Sequence, residues 1–423
     1  MIHTVRHCVP ENSPLAGYFL DTGHKCTNLY NRAMFLTRQA MTGSKKKHKD
    51  RYPNEHKAFR DFRQARETIN KTRKRTHKAA LAKARAAGDT AKEAKLLESG
   101  PDWFRLPDAR HWYVGSMDMM AVLQALDDPD YRTLQSNHAQ HVVRQAGDAW
   151  TSYFEGLKSW KACPEKFTGM PKPPYYRETG SWSTIVYSNQ NCRFVHDEKS
   201  GRAYLTFPYT KERLDVTGLL TARDVSQYRL CGVKVAEKPH GYEVHISYDD
   251  GQDAPAAPKA PGRIHGIDFG VDNLVAIANN TGRRPVLIRG GELKSYNQWR
   301  NKTAGYYQGR AKTDNRVYAT ARTEEIWDGS CGYMGNVLRL TANAIMAMLI
   351  EDRADALVVG KNDGWKQGSN MGRRNNQNFV QIPHVKLATI LKEKCEAAGI
   401  LYVEQEESYT SKASFLPKGM PYG

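Results

Sequence analysis

The chain is short of acid. Over 423 residues it carries 45 Asp and Glu against 63 Lys and Arg, a net charge of +18 and a pI near 9.5. A soluble surface does not need such an excess, so a large polyanion is the expected partner. Paired cysteines are also missing. The seven Cys are scattered, and none shows Cys-Xaa-Xaa-Cys spacing, which argues against a disulfide framework and a zinc ribbon. A reducing, intracellular compartment follows as the expectation. No apolar run approaches the roughly 20 residues of a membrane span, and Met1-Ile-His-Thr-Val-Arg6 lacks the apolar core of a signal peptide. No membrane partner is expected.

Residues 1–10 read as a strand, and Leu15 to Met41 as a helix closed by Gly43. The most basic stretch follows, Lys45 to Arg85, and includes Arg73, Lys74 and Arg75. From Ala58 to Glu98 it holds good helix formers with sparse apolar positions. It is expected to be a solvated helix or helical hairpin lying along a phosphate backbone. Val143, Ala146, Trp150, Tyr153, Phe154, Leu157 and Trp160 keep helical spacing and read as core. After Gly169-Met-Pro-Lys-Pro-Pro-Tyr-Tyr-Arg177, alternating segments to about Asp249 predict a small β-barrel. The expected domains are therefore a barrel from 1–10 and 166–250, a helical region over 11–165 inserted in it, and a Pro/Ala linker over 251–262.

From 263 the pattern turns α/β. Arg263 to Ala278 predicts a hairpin, with Asp268 at a strand end between Gly266 and Gly270. Pro285 to Arg289 is a third strand. Lys294 to about Arg322 is basic and helical. Met334, Val337, Leu338, Leu340, Ala342, Ile345, Met346 and Leu349 predict a buried helix. Ala354 to Gly360 is a strand, Val385 to Ala398 a helix and Ile400 to Glu404 a strand. Three strands, then helix, strand, helix, strand is the order of an RNase H-like domain, whose first strand is central with the fourth beside it. The carboxylate of Asp268 suits a two-metal phosphodiester site. Glu404, Glu406 and Glu407, after the last strand, compete for a second ligand position. Lys361, Lys366, Arg373 and Arg374, in a Gly/Asn-rich loop, are candidates for phosphate contact.

Four motifs, Gly266-Ile-Asp-Phe-Gly-Val-Asp-Asn-Leu274, Leu293-Lys-Ser-Tyr-Asn-Gln-Trp-Arg-Asn-Lys302, Gly360-Lys-Asn-Asp-Gly-Trp-Lys-Gln367 and Glu407-Ser-Tyr-Thr-Ser-Lys-Ala-Ser-Phe415, resemble the TnpB proteins. These are transposon-encoded RNA-guided nucleases related to type V CRISPR effectors. Pro171 to Arg177 and the Trp150 to Trp160 helix are also similar. The likeness covers roughly 140–420 well and 1–40 weakly. It implies a multidomain α+β fold: a helical recognition lobe inserted in a wedge-like barrel, followed by a RuvC nuclease domain. It implies a guide RNA and a double-stranded DNA target as partners, and Mg2+ held by Asp268 and a second acid. Where many members place that acid, this chain reads Val359-Gly-Lys-Asn362, so the resemblance implies a rearranged site with Glu407 as the substitute. The family's third acid, an Asp, follows a further segment, whereas the sequence stops at Gly423. Either the chain is part of a longer one, or it lacks that ligand and cuts poorly. A nuclease-deficient RNA-guided DNA-binding protein and a transposition-associated DNA-binding protein are the alternatives.

Overall fold

In a computed structural model, residues 1–218, 225–270, 272–315, 320–361 and 382–406 are described. The chain is a mixed α+β protein that divides into two compact units, Ile2–Asp250 and Gly251 onward.

The first unit opens with β1 (Ile2–Pro10) and then α1 (Pro14–Gly43). Pro14 starts the helix, where a missing N–H costs nothing. α2 (Pro53–Ala86) begins the same way, and its Glu55 carboxylate accepts the Tyr52 N–H at 2.9 Å and pairs with Lys46 at 2.8 Å. The carboxyl of Glu55 is held below the ordinary glutamate range: burial opposes this, and the Lys46 and Tyr52 hydrogen bonds outweigh it. After Gly88, α3 (Thr90–Ser99) is capped by Asp89, whose side chain accepts the Lys92 N–H. There follow α4 (Ser116–Ala125), α5 (Pro129–Arg132) and α6 (Ser136–Ala162). The basic stretch is thus a helical hairpin, but its first half is not solvated. Ala58, Phe59, Phe62, Ala65 and Ile69 are buried, most of them in a core shared with α1, α4 and α6, where Trp150 sits 1% exposed. Few apolar residues suffice because they recur at helical spacing on one stripe.

The remaining strands of this unit are β2 (Ile185–Ser188), β3 (Arg193–Asp197), β4 (Arg202–Thr206), β5 (Arg213–Asp215), β6 (Arg229–Lys238) and β7 (Gly241–Asp249). They pair as two antiparallel sheets, β1-β7-β6-β2 and β3-β4-β5, which share one core. Among the described residues no hydrogen-bonded pairing closes the two into a ring. The first turns of α1 also enter this core through Leu15, Ala16 and Phe19. Trp182 donates its indole N–H to the Phe19 carbonyl at 2.9 Å. Its ring crosses α1 at Gly23, where a Cβ would lie 1.9 Å from the indole nitrogen. That close crossing requires glycine.

The second unit holds β8 (Ile264–Phe269), β9 (Asn273–Asn279), β10 (Val286–Arg289), α7 (Gly291–Asn315), α8 (Ala321–Glu351), β11 (Ala356–Lys361), α9 (His384–Ala398) and β12 (Leu401–Glu406). The sheet order is β10-β9-β8-β11-β12. β9 runs antiparallel to both β8 and β10, while β11 is parallel to β8 and to β12. The first strand of the unit is therefore central, with the fourth beside it. Against one face pack α8 and α9, through Leu338, Ile345, Leu349, Leu387 and Leu391. Leu340 departs from the sequence expectation and is 60% exposed. By length and composition α8 is apolar enough to cross a membrane, yet half of its most apolar window is buried inside the fold, as in the core helix of a globular domain. At the start of β8, His265 is fully buried and meets Asp352 at 2.8 Å. Asp352 in turn accepts from Arg283 at 2.8 Å, which ties the sheet to the end of α8.

Candidate functional site on the open face of the second sheet

β8 alternates strictly. His265, Ile267 and Phe269 are buried toward the helices, while Asp268 is exposed on the opposite face. Asp268 pairs across with Ala276 of β9, and Ala276 with Leu287 of β10. On the other side the register runs Val358 to Gly266 and Val359 to Ile267, so Gly360 follows alongside Asp268. Gly360 pairs with Gln405 of β12. A cavity of about 490 Å3 lies on this face, lined by Gly266, Asp268, Ala276, Ala278, Val358 and Gly360, with Gln405 and Glu406 at its side. Apart from Asp268 its floor consists of small and apolar side chains. Asp268 thus stands in an open depression that Glu406 also borders, with room for a large ligand to approach.

The two glycines around Asp268 act differently. At Gly270 a Cβ would meet the Asn273 carbonyl oxygen at 2.5 Å, so the tight hairpin requires glycine. At Gly266 a Cβ would meet nothing within 4 Å. There the missing side chain leaves the floor bare, and no close approach of backbone demands it. The end of β8 is further held by His384, a residue that sequence reasoning missed. It is 3% exposed, its ring nitrogen Nε2 lies 2.9 Å from the Gly270 carbonyl, and its ring stacks on Phe269 at 5.8 Å. Nothing in the local sequence pattern distinguishes it from an ordinary residue at a helix start.

On β12 the register sets which acids face which way. Tyr402 pairs with Leu357 and Glu404 with Val359, and both of those partners are buried on the helix side. Tyr402 packs against that core. Burial, aided by the adjacent Glu404, pushes its hydroxyl up to about 12. Val403 and Gln405 take the other face, with Asp268; by register Glu406 alternates back, though at the exposed strand end it still borders the cavity. Glu407 lies outside the described residues, as do Lys366, Arg373 and Arg374; of Lys361 only the strand position is described. Among the described residues no group of three or more His, Cys, Asp and Glu could hold a metal ion.

The basic candidates of the first unit are of two kinds. Arg73, 20% exposed, pairs with Asp118 and lies 3.3 Å from Asp102, and its guanidinium also donates to the Asp102 carbonyl at 3.0 Å. It staples α2 to α4 and the segment before it. Lys74 and Arg75 are exposed, and Arg75 borders a shallow depression with Glu67 and Lys71.

No protein-family model matches the chain, and no curated protein matches it. Among solved structures, a Cas12f1–sgRNA–target DNA complex aligns over 97% of this chain and 90% of that chain, at 13% identity and a TM-score of 0.43. Alicyclobacillus acidoterrestris C2c1 in complex with single-guide RNA aligns over 97% and 83%, at 9% identity and a TM-score of 0.40. Likenesses of this size leave the functional reading to the site itself.

Proposed function

We propose that the chain is an RNA-guided DNA endonuclease of the RuvC type, with an RNase H-like second unit. The observation that carries the reading is Asp268. It stands exposed on the central strand of a sheet ordered β10-β9-β8-β11-β12, on a floor of small residues, beside the parallel strand β11. Among the described residues no hydrogen bond or ion pair engages this carboxylate, and phosphodiester hydrolysis needs oxygen ligands converging from neighbouring strands. Val403 and Gln405 share the face of Asp268; Glu407, the second acid that the resemblance implies, is proposed as the other ligand. Adjacent strands lie about 4.8 Å apart, and Gly360 alongside Asp268 offers no side chain to obstruct a second carboxylate. Oxygen donors without His or Cys on this face suit Mg2+, which when bound supplies charge neutralisation and an activated water. The chain's own part is to present the carboxylates and to leave the floor open for a phosphate backbone. Lys74, Arg75, Lys361, Lys366, Arg373 and Arg374 are assigned to phosphate, with sequence reading left to pairing between a guide RNA and the DNA target.

The test is cleavage. RNA that copurifies with the protein is sequenced, and DNA complementary to its variable segment is offered with Mg2+. Wild type should cut. Asp268→Asn and Glu407→Gln should lose at least about three orders of magnitude while binding the same DNA equally well, because they remove charge and little volume. Glu406→Gln should cut at near-native rate. Guided binding without any cutting by the wild type makes the chain a nuclease-deficient binder. DNA binding that needs no RNA sinks the guided reading.

A further inference from the structure

α7 turns its aromatic residues outward. Trp299 is 52% and Tyr306 59% exposed, whereas Arg300 is only 6% exposed, inside the packing, with its guanidinium 4.5 Å from the Trp327 ring. A helix that folds for its own sake does the reverse, burying ring and exposing cation. The exposed stripe continues through Lys302 and Arg310, and the Arg310 guanidinium lies 6.0 Å from the Tyr306 ring. Aromatic and cationic groups thus alternate along one line, with the two rings about 10 Å apart along the helix axis. Trp299 is braced from behind by Tyr296 at 5.3 Å, itself stacked on Tyr333 of α8 at 4.1 Å. The N-terminus of α7, which leads into the stripe, is tied to the turn after β8: the Gly290 N–H donates to the Asp272 carbonyl at 2.8 Å, and Lys294 reaches the Asp272 carboxylate at 2.7 Å.

We propose that this face of α7 is a stacking track for single-stranded DNA running to or from the Asp268 site. Exposed rings interleaved with cations suit a chain whose bases are free to stack and whose phosphates need neutralising. A duplex keeps its bases paired and offers the rings nothing, so the track discriminates for single strands. The proposal rests on the nuclease reading for its direction but not for its chemistry, which allows the two to be tested apart.

The probes are a fluorescein-labelled dT20, the matching rU20 and a mixed-sequence 20-base-pair duplex. Binding is measured by anisotropy to the full chain in EDTA, so that nothing is cut. Stacking contributes roughly 1–3 kcal/mol per base. The Trp299→Ala/Tyr306→Ala variant should therefore bind dT20 about tenfold or more weakly, with duplex affinity unchanged within about twofold and an unchanged melting temperature. Trp299→Phe/Tyr306→Phe should restore most of the affinity. Tryptophan quenching by dT20 should shrink in Trp299→Phe alone. Wild type that fails to bind dT20, equal losses on dT20 and duplex, or quenching that survives Trp299→Phe overturns the proposal. Tenfold tighter rU20 binding assigns the track to RNA, and a dimer dissolved by Trp299→Ala assigns it to a second copy; either result also overturns it. If Asp268→Asn still cuts while the track variant loses dT20, the nuclease reading fails and the track stands. If Asp268→Asn is dead and the track variant binds dT20 as wild type does, the reverse holds.

Discussion

α2 and α7 are both long, basic helices that carry aromatic residues, and they face those residues in opposite directions. In α2, Phe59 and Phe62 are buried in the helical core, while Arg73 is tied to Asp102 and Asp118. In α7, Trp299 and Tyr306 face out and Arg300 faces in. Both are net positive, α2 by +8 (11 Lys and Arg less 3 acids) and α7 by +3 (5 less 2), so charge alone would rank α2 as the nucleic-acid binder. What separates them is whether the helix has a structural reason for its rings. α2 has one, since its rings fill a core, and part of its charge is committed to pairs within the fold. Among the described residues α7 has none for its outer face, which is why the stacking track is proposed there.

The comparison breaks most readily at Phe62. It is fully buried in the α1–α2–α6 core, so Phe62→Ala should cost about 3–5 kcal/mol by denaturant titration. A cost under about 1 kcal/mol means that α2 is no more a core helix than α7 is.

Acid sharpens the contrast next. His138, at the start of α6, is 1% exposed, and its ring lies 3.3 Å from the Cys26 thiol. Burial, with His141 nearby, lowers its pKa to about 4. The unfolded chain takes up the proton near 6.5 and the folded chain does not. The stability this contributes is complete above about pH 6.5 and is lost as pH falls toward 4, by on the order of 2–3 kcal/mol. Melting followed between pH 7.5 and 4.5 should show that slope, and His138→Gln should flatten it. An identical slope in the variant removes His138 as its source.

The smallest effects divide α2 itself. Arg73→Ala should cost about 1 kcal/mol or less, as part-exposed pairs do, and should leave the salt dependence of nucleic-acid binding nearly unchanged. Lys74→Ala with Arg75→Ala should leave stability alone and flatten the log–log salt slope by about 2 units. If Arg73 also moves the slope by about 1 unit, its pairs open on binding and the division within α2 fails.

Much of the framework was legible because burial leaves a period in the sequence. β8 shows a period of two, α6 and α8 a helical stripe, and the Pro/Ala stretch from 251 marks where the second unit begins. The place of Asp268 near a strand end was legible because glycines flank it there; its role is what the cleavage test decides. His384 was not, because its contact with the Gly270 carbonyl spans 114 residues and leaves no mark in either neighbourhood.

By itself the sequence determined the order of the elements, the surplus of positive charge and the acid at the end of β8, since each depends on residue type and near neighbours. Only the tertiary structure decided which faces those residues take. The parallel register of β11 and β12 put Gln405 on the side of Asp268 and Glu404 behind it. The packing of α7 on α8 buried Arg300 and left Trp299 in solvent. A helix or strand has several faces of similar composition, and the choice among them is made by partners far along the chain, whose positions no local pattern encodes.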